Sequence, residues 1–224
     1  MLQSATLQFL KDLKKNNNKP WFDANRKRYE AAKADVAAFV QSIIEAHAKK
    51  DPSIAHLQAK DCMFRINRDV RFSKDKSPYK TNIGAFINPG GKKATTAGYY
   101  LHIEPGQCFA GGGMYMPMPD ELKKVRQEID YNFADFKKII QSKKFKTVYG
   151  DLDRSAEYLL SRVPKGYEPD NAAADYLKLK SFVAVIKIKD ADVTSPAYKK
   201  QILTAFEALQ PLNEFLNEAV STTE

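Results

Sequence analysis

Between Arg65 and Lys80 the chain concentrates groups that recognise anions. Arg65, Arg68 and Arg71 recur at every third position, Lys76 and Lys80 follow, and the acids Asp69 and Asp75 lie among them. A guanidinium offers planar donors that meet carboxylate or phosphate oxygens two bonds at a time. If Cys62–Phe72 is extended, its side chains alternate. Phe64, Ile66, Arg68, Val70 and Phe72 then share one face, and Arg65, Asn67, Asp69 and Arg71 the other. On this reading Arg65, Arg68, Arg71, Lys76 and Lys80 clamp a phosphate-bearing or other anionic small molecule. Asp69 and Asp75 orient the contacts, Tyr79 adds a hydroxyl or a ring, and Ser77-Pro78 fixes the course of the loop. The competing reading is a scaffold of ion pairs that holds the loop and binds nothing. Neither reading names a reaction, so whether the chain is an enzyme stays open.

Other candidate chemistry is weaker. Gly111-Gly112-Gly113 offers backbone N–H groups to an anion but lacks the lysine and hydroxyl of a phosphate loop. Its plainer reading is a strand passing close to another backbone. His47, His56, Cys62, His102 and Cys108 show no zinc spacing. Asp69, Asp75 and Glu104 would suit a metal-dependent phosphodiesterase or nuclease, yet Asp69 between Arg68 and Arg71 reads better as an ion-pair partner. The expectation is no metal and no cofactor. No serine or cysteine sits in a nucleophile motif. Trp21-Phe22 beside Lys19, Arg26 and Arg28 fits either base stacking or helix-end packing. Pro164-Lys165-Gly166-Tyr167, with Lys178 and Lys180, is a candidate second wall for the anion.

Charge supports an anionic partner. The net charge of +9 is uneven: residues 1–80 hold 17 Lys+Arg against 9 Asp+Glu, while residues 81–224 hold 19 against 18. A basic first third makes nucleic acid an alternative ligand. A second alternative is a non-enzymatic protein-interaction domain with a structural ion-pair network. The longest apolar run, Phe182–Ile186, is far below the roughly 20 residues of a membrane helix, and Met1–Ala5 lacks a signal-peptide start. Two cysteines are too few for a disulfide framework. A cytoplasmic protein without membrane contact, its thiols buried and free, is expected.

The elements that must carry these residues follow from periodicity. A short helix over residues 4–15, capped by Ser4, precedes a turn at Asn16-Asn17-Asn18 and a long helix from Pro20 to about Lys49. Strands are expected at Cys62–Phe72, Asn82–Asn88, Gly98–Glu104, Gln107–Tyr115 and Ser181–Lys189, the first four joined as a meander. Pro119 opens an amphipathic helix and Asn132 punctuates it before a second. Residues 143–170 read as irregular apart from a small helix near Ala156–Leu160. Ser195-Pro196 starts a last helix over 195–221, with a bend at Pro211. The fold class is α+β, an antiparallel sheet of about five strands with N- and C-terminal helices packed on it. The chain reads as one domain over 1–224, with a helical part (1–60), a sheet-rich core (61–190) and the C-terminal helix.

The polar segment is also a recognisable pattern. Arg65-x-x-Arg68-Asp69-x-Arg71-Phe72-x-x-Asp75-Lys76-x-x-Tyr79 resembles the hallmark of a widespread family called domain of unknown function 2461. Asn17-x-Lys19-x-Trp21-Phe22, Gly98-Tyr99-Tyr100-Leu101-His102-Ile103, Gly111-Gly112-Gly113-Met114-Tyr115 and Arg162-x-Pro164-Lys165-Gly166-Tyr167 resemble its other segments, as does Asp175–Phe182. The resemblance spans nearly the whole chain and implies membership without supplying a mechanism.

Overall fold

The structure, a computed structural model, describes residues 1–221. The chain folds as two compact units, residues 1–92, 100–110 and 187–203 in one, residues 93–99, 111–186 and 204 onward in the other.

In the first unit, α1 (Ser4–Lys15) buries Leu7, Phe9, Leu10 and Leu13. Ser4 is its first residue rather than its cap. Instead, Asp35 accepts the Gln3 backbone N–H at 2.9 Å and the Thr6 hydroxyl at 2.5 Å. The single long helix expected from Pro20 forms as two, α2 (Lys19–Ala24) and α3 (Arg26–His47). Asn25 interrupts them, its side-chain amide bonding the Trp21 carbonyl at 2.9 Å, a local bond that competes with helix continuation. Asn18 caps α2 by accepting the Trp21 N–H at 3.0 Å, which makes the Asn16–Asn18 turn an ordinary N-terminal stop signal. After α4 (Ala59–Cys62), the chain enters a sheet that runs in chain order: β1 (Ile83–Ile87), β2 (Gly98–Ile103), β3 (Phe109–Met114) and β4 (Phe182–Lys187).

The sheet is antiparallel with four strands, one fewer than the five expected. The missing one is Cys62–Phe72. Met63 and Asn67 make isolated antiparallel bridges to Ala85 and Tyr79, after which the Asp69 carboxylate accepts the Arg71 backbone N–H at 3.3 Å. The Asp75 carboxylate does the same to Ser77 at 2.9 Å. Such Asx contacts divert the backbone from a ladder, and the face shared by Phe64, Ile66 and Phe72 is lost: Ile66 is 4% exposed and Phe72 is 96% exposed.

Strand β2 alternates as expected. Tyr99, Leu101 and Ile103 are buried, whereas Tyr100 and His102 are half-buried on the opposite face. In the first unit, α3 packs on β1 and Tyr198 stacks on Phe39 with centroids 4.7 Å apart.

In the second unit, α5 (Pro119–Tyr131) and α6 (Phe133–Ile140) meet at Asn132. The region expected to be irregular contains α7 (Lys143–Tyr149), capped by Ser142. Its seven residues show too little of a period to reveal it. Here too lies α8 (Ala174–Leu177), whereas α9 (Asp190–Val193) belongs to the first unit, and α10 (Tyr198–Ser221) keeps Pro211 inside the helix. Phe206 of α10 stacks on Tyr99 at 4.8 Å. The glycine run does what its plainer reading requires. A Cβ at Gly112 (φ +154°) would lie 2.0 Å from the Gly98 carbonyl oxygen, and one at Gly111 2.0 Å from that of Ala184. Among the described residues, no helix is long and apolar enough to cross a membrane.

Candidate anion-binding site

The candidate residues lie on an irregular antiparallel ribbon in the first unit. The Phe64 N–H donates to the Gly84 carbonyl at 3.0 Å, the Lys80 N–H to that of Ile66 at 2.7 Å, and the Arg68 N–H to that of Pro78 at 3.0 Å. Two buried side chains, Ile66 and Tyr79, fasten the ribbon to the core. The Tyr79 ring stacks on Phe22 with centroids 3.9 Å apart. Asn17 clamps the same residue, accepting the Tyr79 N–H at 3.1 Å and donating to its carbonyl at 2.9 Å. Tyr79 is thus an anchor, placed in the core rather than toward a ligand. The Asn16–Asn18 turn and Phe22 position the ribbon, and Trp21 packs on Phe9 at 6.0 Å.

Beside the ribbon is an open depression of about 380 Å³, lined by Arg68, Asp69, Lys80, Thr81 and Asn82. The charges of the ribbon fall into two groups. In the first group each cation has a partner on the same loop. Arg68 pairs with Asp75. Arg71 forms a fork on Asp69, with bonds of 3.0 and 2.7 Å. Lys76 donates to the Val70 carbonyl at 3.0 Å. The Ser77 hydroxyl and N–H, with Arg68, hold the Asp75 carboxyl at about 2. Arg71, with a smaller contribution from the field of Arg65, holds Asp69 below its ordinary range.

The second group has no such partner. Among the described residues, Arg65, Lys74 and Lys80 form no ion pair. Lys80 is half-buried, its ammonium 5.5 Å from the centroid of the Phe64 ring. Burial and the nearby Arg65 both push its pKa below the ordinary lysine value. The structure therefore brings Arg68, Asp69 and Lys80 to one depression, with Arg65 acting on Lys80 through its field. Arg71, at 76% side-chain exposure, lies outside the lining.

One network adjoining the depression was missed from sequence. Thr81 donates its hydroxyl to Glu104 at 2.7 Å. The other Glu104 oxygen meets His102 Nε2 at 3.2 Å, and His102 Nδ1 meets the Tyr100 hydroxyl at 3.1 Å. Phe109 stacks on the imidazole at 4.6 Å. Burial lowers the His102 pKa against the opposing pull of Glu104, so the ring is neutral near pH 7. Nε2–H then donates to the carboxylate, and Nδ1 accepts from tyrosine. Burial pushes Tyr100 up to about 12. Glycine at 84 is what admits the Tyr100 hydroxyl, since a Cβ there would lie 2.6 Å from it. The signal was the i, i+2, i+4 spacing of Tyr100, His102 and Glu104 in a strand, which puts all three on one face. Among the described residues, no three His, Cys, Asp or Glu side chains gather as metal ligands. Lys165, Tyr167, Lys178 and Lys180 belong to the other unit.

No curated protein and no solved structure matches this chain. A family does: its sequence pattern matches residues 5–215, and the chain belongs to the family described as conserved hypothetical protein (DUF2461).

Proposed function

We propose that the ribbon of residues 63–82 binds a phosphate-bearing anion in the depression between Arg68 and Lys80, with Arg65 reinforcing the field. The observation that carries this reading is Lys80, a half-buried ammonium without a carboxylate partner and beside a second cation. A charge taken partly out of water beside a like charge is unfavourable unless a counterion completes it. A bound anion would be that counterion. The Arg68 guanidinium, positioned by Asp75, keeps further N–H groups to offer phosphate oxygens. Two buried free thiols are in keeping with a reducing compartment, the cytoplasm.

The test is a thermal shift with inorganic phosphate at low ionic strength, comparing the wild-type chain with Arg65→Ala. Arg65 is exposed and unpaired, so the substitution leaves the melting point without phosphate unchanged within about 1 °C, as for surface changes generally. Phosphate should raise the wild-type melting point by mass action, and the variant should need about tenfold more for the same rise. Equal phosphate responses in both proteins would reject the site.

A further inference from the structure

The ribbon carries two features that phosphate alone does not use. Phe72 is 96% exposed at the loop tip, and Phe64, tilted against Tyr100 with centroids 6.4 Å apart, is 36% exposed. Burying a phenylalanine stabilises a fold. A ring left almost wholly in water at a loop tip therefore contributes nothing to folding. Each exposed ring also has its own cation. The Arg71 guanidinium lies 5.9 Å from the Phe72 centroid, and the Lys80 ammonium 5.5 Å from that of Phe64. The depression lined by Arg68 and Lys80 belongs to the same ribbon.

We infer that the anion bound here is the backbone of single-stranded nucleic acid, with successive bases stacking on Phe64 and Phe72 and the intervening phosphates held by Arg65, Arg68 and Lys80. This rests on the anion-binding reading above and names the ligand class. A flat ring beside a cation matches the two parts of a nucleotide, a base with a π-face and a phosphate with charge. Two such pairs on one ribbon call for a polymer. Phe64 and Phe72 stand eight positions apart on the ribbon. In a duplex the base faces are already stacked on each other, so exposed rings select unpaired strands.

The experiment measures anisotropy of a labelled thymidine oligonucleotide of ~10 nucleotides, within the usual site sizes, against the full chain across a salt series. The three cations placed on the phosphates, Arg65, Arg68 and Lys80, give a slope of log K against log salt of about −2 for a single strand. Phe72→Ala removes no charge and no core contact, so it should leave the melting point and the slope unchanged while weakening binding about five- to hundredfold. Phe64→Ala should act in the same direction. Wild-type affinity in Phe72→Ala, a slope near zero, or equal affinity for a duplex of the same length would each overturn the inference. If the phosphate thermal shift survives such a result, the site binds anions of another kind. If inorganic phosphate also fails to bind, the anion-binding reading falls with it.

Discussion

Replacing Lys80 with Met separates a binding site from a scaffold, because the two roles give opposite changes. Methionine keeps an unbranched chain over the Phe64 ring. The lost cation–π contact, about 0.5–1 kcal/mol at a partly exposed site, is offset by a sulfur–aromatic contact of about 0.3–1.5 kcal/mol. What remains is relief of burial and of repulsion from Arg65, the two causes that lower the Lys80 pKa. Solvent screening at a half-exposed group limits that gain to under about 1 kcal/mol. In a chain of this size about 1 kcal/mol corresponds to roughly 2–4 °C. Without phosphate, Lys80→Met should therefore melt at or up to ~3 °C above wild type. Phosphate at about a hundredfold excess over Kd stabilises the wild type by about 2.7 kcal/mol, or roughly 5–10 °C, and the variant by far less. The order of the two melting points then reverses as phosphate is added in a scanning calorimeter at low salt. A variant that melts several degrees lower without phosphate, yet keeps the full rise with it, would show Lys80 to be structural and refute the reasoning.

Two other outcomes follow from the geometry. Gly112→Ala places a Cβ 2.0 Å from the Gly98 carbonyl oxygen and at a φ of +154°, which should destabilise the chain by more than about 3 kcal/mol or prevent folding, read from a urea midpoint. Acid should weaken the fold in two stages. The folded His102 pKa lies below 6.5, so stability falls as pH drops below 6.5, where the unfolded chain takes up the proton more readily. The folded Asp75 pKa is about 2 against 3.8, so its contribution, complete above pH 3.8, is lost between there and pH 2. His102→Gln should reduce the first loss and leave the second, and identical pH profiles for the two proteins would rule out a buried neutral His102.

What was legible in the sequence had a period or a stop signal long enough to dominate. Helices α1 and α5 and strand β2 follow from runs whose buried residues repeat at 3.6 or 2, and β1, β3 and β4 from β-branched and aromatic runs between turn signals. Cys62–Phe72 forms no strand of the sheet, although apolar residues recur at Phe64, Ile66, Val70 and Phe72. Asp69 and Asp75 bond backbone N–H groups two residues on, and a polar side chain at two positions outweighs the ladder expected from the apolar ones. The same short-range chemistry split the long helix at Asn25. Within the site, the identity of the cations was legible but their pairing was not. Arg71 has the more conspicuous place in the motif, yet its fork on Asp69 leaves it outside the depression. Lys80, one residue past the motif, lines it because Tyr79 beside it is pinned by Phe22 and Asn17. That contact joins residues 62 positions apart, which no local pattern reports.

The two readings of the polar segment, scaffold and site, use different cations of the same ribbon. Asp69 and Asp75 each do two things: they turn the backbone and they fix one arginine. Fixing an arginine in advance lowers the ordering cost when it meets an anion, because fewer rotamers are lost on binding. Two acids cannot neutralise the six cations between Arg65 and Lys80. A purely structural network would balance its charges, since each unpaired cation works against the loop it is meant to hold. The excess falls on Arg65, Lys74, Lys76 and Lys80, and the ring exposed at the loop tip is likewise surplus to folding. Surplus charge and surplus apolar surface on one short ribbon are what a ligand with both phosphates and flat bases would satisfy together.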